Sequence, residues 1–145
     1  MTTMNDWNRQ LIEEFHAKAG KVGGPFEGRT LLLLTTTGAK SGLRRTNPLA
    51  YLPDGDRLII FASKGGAPTN PDWYRNLIAH PEVTVEVGNG STIETFEVTA
   101  TVIANKEERD QLYARQVQVF PSFAEYEEKT NRVIPVIALE RRQGS

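Results

Sequence analysis

A small, mainly antiparallel β-barrel with about three helices around it is the fold this chain predicts. Six β-like runs separated by turn residues indicate it. So do two hairpin signals, Asp54-Gly55 and Asn89-Gly90, whose connections are too short for parallel crossovers. A length of 145 residues suits one domain, 1–145, around a single core, and closing the sheet protects its edges.

The first element is an amphipathic helix starting near Asn5 or Asp6, because Trp7, Leu11, Phe15 and Ala19 recur every four residues among charged neighbours. Gly20 and then Gly23-Gly24-Pro25 end it, so residues 1–24 read as a helix covering an end or side of the sheet. Strands follow at Thr30 to Thr37, Thr46 to Leu52, Arg57 to Ala62, Val83 to Val87, Glu94 to Ile103 and Val133 to Leu139, which makes 28–139 the barrel. The hairpin signals pair the second with the third and the fourth with the fifth. Between the third and fourth, Asp72 to Ala79 reads as a short helix, opened by Pro71 or Asp72 and closed by His80-Pro81. A longer helix begins at Asn105, where Asn-Lys-Glu-Glu resembles a capping box, and runs through Leu112, Gln116 and Val119 to Pro121.

Composition narrows the function classes. Without cysteine there are no disulfides, thiolate metal sites or cysteine nucleophiles. The first ten residues are polar and no apolar run approaches the ~18 residues of a membrane span, so the cytoplasm is the expected location. Net charge is only −1, yet Gly28 to Pro53 carries Arg29, Lys40, Arg44 and Arg45 and no acid. That segment has a local positive field.

Two loops concentrate the chemistry, each directly after an apolar run: Gly38 to Thr46, and Ser63 to Asn76. Both join glycines, which let backbone N–H groups turn toward an anion, to Lys40, Arg44, Arg45 and Lys64 and to short hydroxyls. The first resembles a phosphate-binding P-loop but lacks its glycines, since Ala39 and Leu34 stand at those positions. A solvated basic hairpin turn is the plainer reading. The second loop favours an anion, with Pro68 and Pro71 stiffening it and Asp72, Trp73 and Asn76 on the helix that follows. Trp73 also has an ordinary reading as core packing.

His16 and His80 have structural explanations, no serine has an evident histidine partner, and two isolated histidines give no metal-ligand spacing, so no metal is expected. With a pI near 6.1 and few basic residues, the positive region is sized for a compact anion and not for nucleic acid. Phe120, Phe123 and Tyr126 recur every three residues after the long helix. Such a stripe is either core or an aromatic cover over a flat ligand, with Glu125, Glu127 and Glu128 on its wet side.

The run Leu-Thr-Thr-Thr-Gly-Ala-Lys-Ser-Gly-Leu-Arg-Arg-Thr-Asn-Pro-Leu, followed by Ala-Ser-Lys-Gly-Gly-Ala-Pro-Thr-Asn-Pro-Asp-Trp-Tyr-Arg-Asn-Leu-Ile-Ala-His-Pro, closely resembles the deazaflavin-dependent nitroreductase and quinone reductase family of actinobacteria. The resemblance runs from Gly28 to Leu139. It implies an α+β, six-stranded split β-barrel of the FMN-binding type with peripheral helices, using the reduced deazaflavin coenzyme F420. By the same resemblance Ala39, Lys40, Ser41 and Arg45 hold the phosphate and acidic tail, and Thr46, Asn47, Pro48, Leu49 and Ala50 run beside ring and linker. Ala62, Ser63, Lys64, Gly65 and Gly66 line ring and phosphate, and Asp72, Trp73 and Asn76 complete the pocket.

Phe120, Phe123 and Tyr126 match the part of the family that covers the acceptor, where tyrosines are frequent. With one phenol kept, the segment suits apolar flat acceptors. The implied reaction is hydride transfer to a quinone, an unsaturated lactone or a nitroaromatic, with Ser63 as an oxyanion donor and Tyr126 or solvent supplying the proton. An FMN-binding split barrel and a non-catalytic coenzyme carrier are the competing readings. The family leans toward a monomer, and Trp7, Leu11 and Phe15 are the candidate face for peripheral membrane contact.

Overall fold

The computed structural model describes residues 4–21 and 31–142, with side chains from residue 8 onward. Seven strands form one antiparallel sheet: β1 (Leu31–Thr37), β2 (Arg44–Ala50), β3 (Leu52–Asp54), β4 (Arg57–Phe61), β5 (Glu82–Gly88), β6 (Ile93–Val102) and β7 (Val136–Arg141). Four helices accompany it: α1 (Met4–Ala17), α2 (Asp72–Ala79), α3 (Lys106–Val119) and α4 (Ser122–Glu128). The predicted second strand is two. It breaks at Tyr51, after which Leu52–Asp54 pairs with β4 while β2 pairs with β1. The predicted hairpin between the second and third strands therefore forms only through β3. The Asn89-Gly90 hairpin forms as expected, Asn89 Oδ1 accepting from the amides of Ser91 and Thr92 at 2.8 Å.

The sheet order is β2-β1-β5-β6-β7-β4-β3, which puts β2 and β3 at opposite edges although only Tyr51 separates them in the chain. A flat sheet of seven strands would hold those edges ~29 Å apart, whereas two Cα steps reach at most ~7 Å. The sheet must curl until its edges meet, and it does so as a half-barrel. Pro48 and Pro53 mark those two edge strands, where a missing N–H costs no ladder bond.

Register divides the curled sheet into an inner and an outer face. Leu32 and Leu34 of β1, Ile60 of β4, Val83 and Val85 of β5, Val98 of β6 and Ile137 and Leu139 of β7 fill the inside. Trp73 and Leu77 of α2 plug it. Outside, Leu11 and Phe15 of α1 pack on Leu31 and Leu33, while α3 and α4 cover β4 and β7 through Leu112, Tyr113 and Phe123. Burial of Leu11 and Phe15 removes them as a membrane-facing surface. The side chain of Trp7, the Gly23-Gly24-Pro25 stop, Arg29 and Thr30 lie outside the described residues. No helix among those described is long and apolar enough to cross a membrane.

Capping occurs where the residue types place it: Asn105 Oδ1 accepts from Glu108 N at 2.8 Å and opens α3. At the end of α1, Gly20 N donates to Phe15 O at 2.9 Å and the chain turns directly onto β5. There Gly90 N donates to Ala19 O at 2.8 Å and His16 Nε2 meets Glu86 Oε1 at 2.8 Å. The crossing is tight, since a Cβ on Gly88 would lie 2.1 Å from Ala19 O. Gly88→Ala is expected to destabilise the protein by about 2–3 kcal/mol through that backbone clash, measured by urea denaturation.

Across the β3–β4 turn, Asp54 accepts from Arg115 at 2.8 Å and from Arg57 Nε at 3.1 Å, and these hydrogen bonds hold its carboxyl below its ordinary range. A depressed carboxylate stabilises the fold above the ordinary carboxylate range and loses that contribution as pH falls through its folded-state value. Asp54→Asn should therefore cost up to about 1 kcal/mol at neutral pH, the pair being partly exposed. Thermal melts should show the gap from wild type closing in acid.

Candidate functional site

Both glycine-and-cation loops leave the sheet at the same end. The first folds as a tight turn after β1, with Gly38 N donating to Leu43 O at 2.7 Å and Gly42 N to Gly38 O at 3.0 Å. Ser41 Oγ accepts from Leu43 N at 3.1 Å, which leaves its O–H hydrogen to donate outward. Lys40 and Arg45 are exposed, and no described carboxylate pairs with either.

Asn76 joins this turn to the second loop. Its Oδ1 accepts from Ala39 N at 3.0 Å and its Nδ2 donates to Thr36 Oγ1 at 3.1 Å, so α2, which continues the second loop, is pinned beside the first. Sequence reasoning expects Asn76 in the pocket; in the structure both ends of its buried amide are used, tying α2 to the end of β1 and the turn after it. Trp73 is likewise in the core, 6% exposed, while Asp72 stands exposed in the first turn of α2.

The second loop adopts a strained shape. Ser63 is right-handed (φ −77°, ψ −38°), and Lys64, Gly65 and Gly66 follow with φ of 47°, 62° and 87°. A right-handed residue followed by a left-handed one turns successive N–H groups toward one point, the backbone concavity that binds anions. A lysine in the left-handed region costs roughly 1–2 kcal/mol, a cost that persists only where the surroundings enforce it. Gly65 faces open space, whereas a Cβ on Gly66 would come within 2.9 Å of Tyr126 O and of Lys129 Cβ. The turn thus lies directly beneath α4.

Pairing register splits the predicted strip on β2 between two faces. Arg45, Asn47 and Leu49 stand opposite Thr36, Leu34 and Leu32, on the inner side, and Leu49 packs into that core. Thr46, Pro48 and Ala50 face outward, where Thr46 Oγ1 lies 2.8 Å from Thr35 Oγ1 and Ala50 adjoins both outer clusters. Arg44, on that side too, donates to Thr84 Oγ1 at 3.1 Å. Ala62 is buried in the same inner core as Trp73.

The aromatic segment is helical and partly core. Phe123 is 6% exposed, at the centre of edge-to-face contacts with Phe61, Tyr113, Phe120 and Tyr126 at centroid separations of 4.9 to 6.2 Å. That position makes it part of the core. Phe120 and Tyr126 are half-buried at the edge of the same cluster. Tyr113 O–H donates to Phe123 O at 2.6 Å and Arg109 donates to Glu127 at 3.1 Å, fixing α4 against α3. Burial, with the Glu127 carboxylate nearby, raises the Tyr113 phenol above its ordinary value, so it stays a donor.

Two residues escaped the sequence reading. Arg132 donates to Ala62 O, Ser63 O, Ala67 O and Asn70 Oδ1 at 2.8 to 3.1 Å. Gln116, which the sequence reading had only as a residue of the long helix, is buried on the stripe of α3 that carries Arg109, Leu112 and Tyr113, and its Oε1 has no partner among the described residues. Neither stands in a motif, and only a three-dimensional neighbourhood reveals them.

The family described as F420H(2)-dependent quinone reductase matches residues 7–141. The F420H(2)-dependent quinone reductase Rv1261c of Mycobacterium tuberculosis is 41% identical over 129 residues, 85% of this chain and 82% of its own length. A solved F420-H2 dependent reductase (FDR-A) superposes with a TM-score of 0.65 at 39% identity, covering 77% of this chain and 95% of its own. Another solved chain, described as a domain-swapped dimer, gives 0.67 at 36% identity over 95% of this chain and all of its own.

The glycines separate shape from stability. Gly66→Ala should lower the melting temperature, because its clash is with the backbone of α4. Gly65→Ala has room, so it should cost only about 1–2 kcal/mol of backbone strain. Its methyl group would crowd the concavity, and F420 affinity measured by fluorescence should fall at least tenfold.

Proposed function

We propose a specific reaction for this chain, which belongs to the F420H(2)-dependent quinone reductase family and is therefore a reductase that uses coenzyme F420. The reaction is two-electron reduction of a flat, electron-poor acceptor, of which a quinone is the leading kind. The observation that carries it is the left-handed turn at Lys64 to Gly66, which lies beneath α4 and leaves the sheet at the same end as the exposed Lys40 and Arg45. One end of that arrangement suits a polyanion and the other suits a flat apolar ring.

The residues fit the coenzyme's two chemistries. The amides of Ser63 to Gly65 and the Lys64 ammonium would take the phosphate, the Gly66 amide being used within the turn on Ser63 O, and Lys40, Ser41 and Arg45 would take the acidic tail, with Ala39 presenting backbone. Thr46, Pro48 and Ala50 on the outward face of β2 would lie along the ring and linker, as small or flat side chains must. Asn47 and Leu49, on the inner face, would support that strip from behind, as would Ala62, Trp73 and Asn76, while Asp72 is placed to meet a polar edge. When bound in reduced form, the coenzyme supplies a hydride.

The chain's own work is to hold the acceptor within reach, exclude water and manage charge. Reduction of a quinone to its quinol takes one hydride and one proton. Ser63 Oγ or a neighbouring amide would stabilise the oxygen as charge develops on it, and Tyr126 or solvent would deliver the proton. Phe120 and Tyr126 would sandwich the ring, with Phe123 backing both. The same slot admits an unsaturated lactone or a nitroaromatic, but a single phenol offers these polar acceptors little. On assembly, the related domain-swapped dimer favours pairing over the monomer expected from sequence, and light scattering distinguishes the two.

Titration with oxidised F420 and with FMN, followed by fluorescence, tests the cofactor assignment in this chain: tight FMN binding with none of F420 would overturn it. Lys40→Ala and Arg45→Ala should each weaken F420 binding several-fold, most at low ionic strength where charge is least screened. Acceptor-dependent oxidation of reduced coenzyme should be fastest with a menaquinone analogue in a panel that includes lactones and nitroaromatics. No turnover with any of them would favour the carrier.

A further inference from the structure

We propose that Arg132 is a positioning residue that holds the second loop in its anion-binding shape. The inference rests on the coenzyme site just described. Arg132 Nη1 donates to Ala62 O at 3.1 Å and to Asn70 Oδ1 at 2.8 Å, Nη2 donates to Ser63 O at 2.8 Å and Nε donates to Ala67 O at 3.0 Å. All four acceptors belong to residues 62–70. They bracket the Lys64–Gly66 turn on both sides, so one planar fork sets the separation between the turn's entry and its exit.

The choice of acceptors is informative. Arg57, Arg109, Arg115 and Arg142 each pair with a carboxylate. Arg132 is half-buried, is drawn below its ordinary basicity by that burial, and is solvated by three carbonyls and an amide with no described carboxylate beside it. A buried cation that recruits no counter-ion is a poor general stabiliser, because desolvation offsets much of what its hydrogen bonds contribute. It is well suited to ordering a strained backbone. A left-handed lysine between a right-handed serine and two left-handed glycines relaxes unless its flanking carbonyls are held, and Arg132 holds them on both sides.

Position in the chain adds a second consequence. Arg132 lies three residues beyond Lys129, whose Cβ would be 2.9 Å from a Cβ on Gly66. The link from α4 is thus anchored on the very turn that α4 covers, and the clamp positions the aromatic cover and the anion-binding turn together.

Lysine at 132 keeps the charge but cannot reach four divergent acceptors. Arg132→Lys should weaken F420 binding about tenfold and raise the coenzyme KM with little change in kcat, equivalent to losing one or two hydrogen bonds' worth of ordering. Its salt dependence should stay as in wild type. In the ligand-free protein the amides of residues 63–67 should exchange hydrogen faster. Asn70→Ala, which removes one side-chain acceptor and no backbone one, should act in the same direction by about threefold.

Wild-type affinity in Arg132→Lys would overturn the proposal, as would unchanged exchange across 63–67 in both variants. If wild type itself failed to bind F420, the coenzyme site would fall while the exchange comparison still decided whether Arg132 holds the loop.

Discussion

Ala50 and Leu52 lie on opposite edges of one sheet with a single residue between them. Nothing in local propensity requires this, and everything else in the molecule accommodates it. Closing the edges forces the sheet to curl, and curling creates an inside, which Trp73 and Leu77 plug, and an outside, which α1 shares with α3 and α4. Ala50 packs against both outer groups, so the division falls at the end of β2. The loops that leave β1 and β4 lie at the other end of that strand.

Such closure fills the barrel interior with apolar side chains. The candidate site is built from loops, and loops lose their shape unless something orders them. Here the ordering comes from side chains that touch no described cation of the site. Asn76 uses both ends of its amide to connect the first turn with α2, and the carbonyls flanking the second turn are gathered by one guanidinium. Strain at Lys64 is tolerable because the scaffold on either side is fixed. A glycine would relieve that strain, and would also remove a cation from the turn.

Much of this was legible in the residues. Helix boundaries at Asp72, Ala79 and Asn105 follow from capping chemistry and proline, and five of the six strands fall within a residue or three of their expected ends. Tyr51 was not legible: Thr46 to Leu52 is an unbroken β-like run, and what splits it is the need to serve two edges, a property of the closed sheet. Prolines 48 and 53 carried the relevant signal, since each is admissible only on an edge strand, and two prolines five residues apart imply two edges. The loops stand out because glycine next to a cation after a strand has few structural uses. Trp73 was expected in the pocket or in the core and is buried, whereas the tie that Asn76 makes between β1, its turn and α2 was not legible, because residue type cannot distinguish an amide that meets a ligand from one that ties two elements together.

That distinction matters for how the site achieves affinity. A turn shaped only by its ligand would spend part of the binding energy on ordering left-handed backbone, whereas a turn held open beforehand makes its amides available at no further conformational cost. Exposed lysines and an exposed arginine contribute little individually in water and are screened by salt. Preset amides are not screened in the same way, because they act at contact. In the proposed site the cations are all exposed, so the dependable part of anion recognition would reside in backbone geometry. Arg132 from one side and helix α4 from the other hold that backbone, and they would matter as much as the residues that carry the charge.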